Sequence, residues 1–245
     1  MSYSYGFGSF YSQPTMDELR AKAKASVSQL SKKGQKLDPI ELMGKKISTT
    51  WWGNAWCDNL ERYADFANRI DRGKRYVRAG CVIDLKIEPG LIKALVQGSR
   101  KNPYKVEVSI KPMDQKLYTQ IIEGCTARAK SLEALALGDF PQELKEHLFD
   151  KKGGIFPSPK EIKLGCSCPD AANLCKHIAA AMYAVGSRLD TQPLLHFTLR
   201  GIDTESLIKR TVEQKLASML ANADTKSPRI LDANDRDLTR LFGVL

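Results

Sequence analysis

A chain of 245 residues, 42% of them hydrophobic, is long enough to bury a sizeable core and is expected to be globular, as one large domain or two small ones. Its formal net charge of +10 favours a polyanionic partner, although solubility accounts for part of such a surplus. No apolar run reaches the ~18 residues a membrane span needs and no basic-then-apolar leader opens the chain, so it is expected to be soluble and cytoplasmic, with reduced thiols.

The surplus is uneven. Residues 1–112 hold 20 Lys+Arg against 11 Asp+Glu, a net of +9, whereas residues 113–245 hold 18 against 17, a net of +1. That asymmetry points to nucleic acid and places the contact in the first half. Residues 1–13 are rich in Tyr, Phe, Gly and Ser, a composition suited to a draped segment or to stacking on bases. Thr15 before Met16-Asp17-Glu18 predicts a capped helix start, and Lys22, Lys24, Lys32, Lys33 and Lys36 give that helix and its exit a basic surface. Gly34 and Pro39 break the chain, and Trp51, Trp52 and Trp56 follow as a cluster. Trp56, Leu60 and Tyr63 share a helical face, which assigns Trp56 to the core; Trp51 and Trp52 suit either a core anchor or a platform for a base.

Arg69, Arg72, Lys74, Arg75 and Arg78 then fall within ten residues, with Tyr76 among them and Gly73 and Gly80 as turn residues. Guanidinium forks match phosphate oxygens and a tyrosine stacks on a base, so this basic loop is predicted to meet nucleic acid, with a merely solvated loop as the alternative. After Gly80 the period becomes two. Cys81, Ile83, Leu85 and Ile87 alternate with polar residues, Pro89-Gly90 turns into Leu91 to Gln97, and Tyr104, Val106, Val108 and Ile110 alternate again. This predicts an antiparallel three-stranded meander with one buried face, whose second turn adds Arg100 and Lys101 to the phosphate-binding set. Residues 113–147 read as helices able to cover that face, with Leu117, Ile121, Ile122, Leu132, Leu135 and Leu137, then a restart at Phe140-Pro141 with Leu144 and Leu148; His147 reads as surface. Lys151 to Gly154 and Phe156 to Pro159 mark a joint, and Glu161 to Leu164 a short strand.

The segment from Cys166 to His177 reads C-S-C-P-D-A-A-N-L-C-K-H. Thiolate and imidazole are ligands that Zn2+ prefers, and four of them complete a tetrahedral shell with no position for water or substrate. A structural Zn2+ held by Cys166, Cys168, Cys175 and His177 follows, one ion per chain; a redox thiol cluster is the competing reading, and a Cys166–Cys168 disulfide would close a very tight, strained ring. Ile178, Ala181, Met182 and Val185 recur at helical spacing, predicting an amphipathic helix with one buried face that begins at the second ligand pair. Lys176 adds a cation beside the metal. Residues 193–201 suggest a strand with His196 packed, and Thr204 to Ala221 an amphipathic helix bearing Ile208, Val212, Leu216 and Met219. Cys57, Cys81 and Cys125 stand apart as small buried hydrophobes.

Cys-x-Cys, a spacer, Cys-x-His and an Ala-rich helix resemble the SWIM zinc finger. W-W-G-N-A-W-C at Trp51 to Cys57, R-G-K-R-Y-V-R-A-G at Arg72 to Gly80, V-Q-G-S-R at Val96 to Arg100 and L-R-G at Leu199 to Gly201 extend the likeness to small prokaryotic SWIM proteins. The resemblance implies a zinc-binding module that contacts DNA or protein partners, sometimes beside helicase-type ATPases, and implies no reaction. The expected architecture is α+β: a basic segment and helix over residues 1–45, a body with the meander over 46–150, a strand-turn-helix finger over 151–203 and a helical segment over 204–245. The expected function is non-enzymatic nucleic-acid binding, DNA foremost, through phosphate; the alternative is an adaptor that docks on a helicase-type ATPase or other DNA-processing partner.

Overall fold

The computed structural model describes residues 13–42, 44–61, 67–120 and 154–203, with single helical positions between 205 and 220. Helix α1 (Met16–Lys32) starts on the predicted signal. The Thr15 side chain accepts the Glu18 N–H while the Glu18 carboxylate accepts the Thr15 N–H, a reciprocal capping box. Leu19, Ala23 and Ser26 form its buried stripe. Helix α2 (Trp51–Leu60) is capped by Thr50 and carries two buried tryptophans, Trp52 and Trp56.

The basic segment is helix α3 (Ala67–Arg78), not a loop. Only Gly73 argued for a turn there, and its role is packing: a Cβ on Gly73 would lie 2.5 Å from the Ala179 Cβ and 3.1 Å from the Ala179 carbonyl carbon. Gly80 is the true turn, at a φ of 69° that favours glycine.

The meander is present as β1 (Val82–Glu88), β2 (Leu91–Val96) and β3 (Tyr104–Ile110). Glu88 pairs with Leu91 across the two-residue Pro89-Gly90 turn, and Val96 pairs with Tyr104. Alternation is complete on β3, where Tyr104, Val106, Val108 and Ile110 are buried and Lys105, Glu107 and Ser109 exposed. On β1 it is interrupted, because residues 38–40 run along its outer edge: Ile40 N–H donates to the Val82 carbonyl and Leu85 N–H to Asp38. Asp84 is therefore buried, its carboxylate taking the Asp38 N–H at 2.9 Å.

A fourth strand, β4 (Ile162–Cys166), extends the meander by pairing antiparallel with β3 from Ile110↔Ile162 to Val106↔Cys166. It is the strand predicted just before the cysteines, now part of the same sheet. Across the sheet lies α4 (Lys176–Thr191), packed on β1, β2, β3 and β4 as well as on α2 and α3. Every residue from His177 to Gly186 is buried. The expectation of a single buried face is thus overturned: α4 is the central helix, enclosed on all sides, as a helix lacking charge over most of its length must be. Small residues allow this. A Cβ on Gly186 would sit 2.6 Å from the Cys57 Sγ, and one on Gly53 2.7 Å from the Gly186 carbonyl. The Trp52 and Trp56 indoles donate to α4 carbonyls, Leu189 at 2.9 Å and Met182 at 2.8 Å, which makes both core anchors. Burial pushes the Cys57 and Cys81 thiols up to about 12, as suits inert apolar cysteines.

The expected strand near residue 193 is a short helix, α5 (Leu195–Leu199). Its N–H groups bond three or four residues back, to carbonyls from Gln192 onward, and apolar spacing over so few residues cannot separate the two forms. His196 packs between Trp56 and Phe156, and burial lowers its pKa to about 3, so it is a neutral core residue. Residues 115–120 begin the predicted covering helix, with Leu117 and Tyr118 against the core; Ile121 to Leu148, Cys125, residues 1–12 and the chain beyond 220 lie outside the described residues. No helix among the described residues is long and apolar enough to cross a membrane.

Candidate metal centre

Four ligand atoms meet at one point. Cys166 ends β4, Cys168 follows in the turn, Cys175 is the residue on which α4 starts and His177 lies in its first turn. Their sulfurs and one imidazole nitrogen all lie within 4.8 Å of one another. His177 faces the set through Nδ1, which is 3.9 Å from the Cys166 Sγ and 4.0 Å from the Cys175 Sγ. An ideal tetrahedron with ordinary Zn–S and Zn–N bonds has edges of about 3.6–3.8 Å, so a zinc ion fits once the ligand atoms draw in, by a few tenths of an ångström at the two His177 distances and by no more than about 1 Å at any other. Cys166, Cys168, Cys175 and His177 form a structural Zn2+ site. The Cys166 hydrogen bond, opposed by burial and aided by His177 and the Ile178 N–H, lowers the Cys175 thiol below its ordinary value. Bound metal makes all three sulfurs thiolates, leaving the cluster with one residual negative charge.

The supports of the site come from distant chain segments. The His177 imidazole stacks on Tyr104 at 4.1 Å and meets the edge of Tyr76 at 5.6 Å, while its Nε2 is buried with no hydrogen-bond partner among the described residues. Ring packing, not the usual second hydrogen bond, fixes this ligand. A Cβ on Gly98 would lie 2.9 Å from that Nε2 and 2.5 Å from the Tyr104 ring. Gly98→Ala is therefore expected to push the imidazole off its position and weaken zinc by about tenfold or more, within the range for lost ligand supports; a chelator competition titration measures it, and an unchanged affinity removes Gly98 from the site. Arg69 reaches Asp170 in the ligand spacer at 3.2 Å, tying α3 to the finger. Neighbouring Gln97 holds the same corner, its carboxamide bonded to Ser26, Gly98 and Arg100. Sequence reasoning missed Gly98, Tyr104 and Asp170 as supports; the glycine in V-Q-G-S-R was the available signal.

Of the residues predicted to meet nucleic acid, some are committed within the fold. Tyr76 is 5% exposed, its ring edge on His177, so it offers no free face to a base, contrary to expectation. Lys74 pairs with Glu61 at 2.7 Å, and Arg75 donates to the Gln13 carboxamide and the Pro14 carbonyl. Glu61 also accepts the Tyr183 hydroxyl, and the Lys74 bond, against burial, keeps its carboxylate below the usual range. Arg78 is exposed and donates Nε to the Lys45 carbonyl. Arg100 lies 5.8 Å from the Tyr104 ring and Lys176 5.3 Å from the Tyr76 ring, while Arg72 and Lys101 have no partner among the described residues. The structure does gather several of these from separate segments: Arg72, Arg75 and Tyr76 from α3, Ser99 from the β2–β3 turn, and Lys176 from α4 line one cleft beside the metal.

A four-stranded antiparallel sheet wrapped on a central helix, with three cysteines and a histidine pinning strand to helix, defines a structural zinc-finger protein. Residues 152–186 match the SWIM zinc finger family, so the chain carries a SWIM-type finger. It is also similar to the uncharacterized protein Rv2102 of Mycobacterium tuberculosis, 33% identical over 163 residues, which are 66% of this chain and 58% of that protein. The chain therefore spans a little over half the length of this relative. No solved structure matches.

Proposed function

We propose that this is a non-enzymatic, zinc-stabilised module that binds nucleic acid, DNA foremost, mainly through its phosphates. The observation that carries this reading is the cleft beside the finger. Arg72, Arg75 and Lys176 line it with Gln13, Pro14, Leu19, Tyr76 and Ser99, and no carboxylate is among these residues. Like charges brought together without an acid repel, and an anion relieves that repulsion. The space between these side chains is small, about 30 Å3, and open to solvent, which suits a small anionic group such as a phosphate oxygen. Arg100 and Lys101, in the turn that supplies Ser99, extend the track. Four protein ligands fill the zinc shell, which favours a scaffold over a hydrolytic centre. SWIM fingers are generally implicated in nucleic-acid or protein binding, in keeping with a cytoplasmic DNA-associated role.

A salt-titrated series on single- and double-stranded DNA and RNA tests the reading. Affinity should fall steeply, with a log-log slope near −0.9 for each phosphate neutralised on duplex DNA, and Arg72→Glu and Lys176→Glu should weaken binding alike on all sequences. Salt-independent binding, or none at low salt, would transfer the weight to an adaptor role. One observation favours that second reading: the helical residues Val212, Leu216 and Leu220, 49%, 56% and 64% exposed, recur every fourth position. Docking on a helicase-type ATPase or another DNA-processing protein would cover such a stripe.

A further inference from the structure

A groove runs between α1 and residues 39–44, closed at one end by the turn from α3 into β1. It encloses about 560 Å3, and Ala23 and Ile40 form its buried floor with Val27 and Leu42 beside them. Arg20 and Lys24 stand on successive turns of α1 along one wall and Arg78 at the far end, all exposed; Glu41 is the one acid among the described lining residues. The single ion pair of Arg20, to Asp17 at 3.3 Å, is exposed and costs little to exchange. Arg78 uses only Nε, toward Lys45, which leaves its terminal nitrogens open among the described residues.

The floor is aliphatic and no aromatic ring is among the described residues that line the groove, so none of these offers a nucleobase a stacking partner. Its cations instead border an apolar trough of a size that takes several side chains, the pattern that receives an amphipathic segment through its apolar face while the rim meets its charges. We propose that this groove docks an acidic amphipathic segment of a protein partner, with aliphatic side chains on Val27, Ile40 and Leu42 and carboxylates on Arg20, Lys24 and Arg78. The site is distinct from the cleft of Arg72 and Lys176, so one chain would hold nucleic acid and an acidic protein segment at once.

The test uses the zinc-loaded full chain and a labelled synthetic peptide of about five helical turns, with leucines on one face and glutamates elsewhere. Fluorescence anisotropy should show this peptide bound, and a scrambled peptide of the same composition bound about tenfold more weakly or worse. Arg20→Glu with Lys24→Glu should lower peptide affinity by a similar factor and leave a thymidine oligonucleotide unaffected, whereas Arg72→Glu should do the reverse; melting curves confirm that these changes leave the fold intact. Failure of the peptide to bind, equal binding of the scrambled peptide, or indifference to Arg20→Glu and Lys24→Glu overturns the proposal. Loss of oligonucleotide binding in that double variant also overturns it, by making the groove a nucleic-acid surface. An oligonucleotide that never binds defeats the nucleic-acid reading alone, since the peptide series still decides the groove.

Discussion

Removing the zinc, or changing Cys175 to Ser, is expected to unfold the four-stranded sheet together with the finger in one transition. The metal joins β4, through Cys166, to the first turn of α4, through Cys175 and His177. Structural zinc contributes on the order of 10 kcal/mol in small finger peptides, comparable with the whole stability of a typical domain. In an appended finger the loss would stay local. Here α4 packs on every strand and on α2 and α3, and the buried cluster it anchors runs from Leu19 to Ile202. Trp52 and Trp56 make the result easy to read, because both indoles, more than a hundred residues upstream, bond carbonyls of the metal-bearing helix α4. Chelation should therefore shift tryptophan fluorescence and abolish the sheet signal in circular dichroism along the same curve. A sheet that persists while the finger alone is lost would refute the central place given to α4. Acid should act in the same direction, since thiolates and imidazole must be deprotonated to hold the metal.

The second large effect is expected away from the metal, at the L-R-G motif. Arg200, 3% exposed, donates to Glu161 at 2.6 Å and to the Lys111 carbonyl at 3.0 Å, and its own carbonyl accepts the Met113 N–H. It thereby fastens the end of β3, the approach to β4 and the end of α5. Gly201 follows at a φ of 72°, which turns the chain away past Pro112. Glu161→Ala would leave a buried guanidinium charge without its partner and is expected to cost about 3–5 kcal/mol. Arg200→Met should cost less: Glu161 is partly exposed and keeps the Ser158 N–H and hydroxyl at 2.7 and 2.8 Å. Urea midpoints at unchanged slope give both values, and the reverse order would show that the ion pair does not govern this corner. Burial pushes the Glu161 carboxyl up, but the hydrogen bonds from Ser158 and Arg200 outweigh it and hold its pKa below the usual value. Its contribution is thus present above an unfolded value near 4.3 and is lost as pH falls through the lower folded one.

A similar device fixes α2. Asp190, near the end of α4, accepts the Ser48, Thr49 and Thr50 hydroxyls and the Thr49 and Thr50 N–H groups, so one carboxylate holds the strap ahead of Trp51. Burial raises its pKa and these bonds lower it further than burial lifts it. Nothing near Asp190 in the chain announces this role, because its partners lie about 140 residues upstream.

What could be read in advance was local. The four zinc ligands lie within twelve residues, the Thr15 capping box within four, and the meander in a period of two broken by Pro89-Gly90. Each depends on neighbours in the chain, and the physics that makes a cap, a turn or a ligand set acts over that same short range. The burial of α4 was half legible, since residues 178–187 carry no charge, but helical spacing alone suggested a single apolar face.

The ten-residue basic run shows where such reading stops. By composition Arg69, Arg72, Lys74, Arg75 and Arg78 were interchangeable, and Tyr76 was their stacking partner. Folding separates them by what α3 meets: Arg69 finds Asp170, Lys74 finds Glu61, Arg75 finds Pro14, Tyr76 finds His177, and Arg72 finds none among the described residues. The sequence by itself determined which residues bind the metal, because coordination needs only the right atoms a few residues apart. Only the tertiary structure decided that the metal-bearing helix is the core of the sheet and which cations remain open to a ligand, because a charge is free or committed according to neighbours that arrive from as much as a hundred residues away.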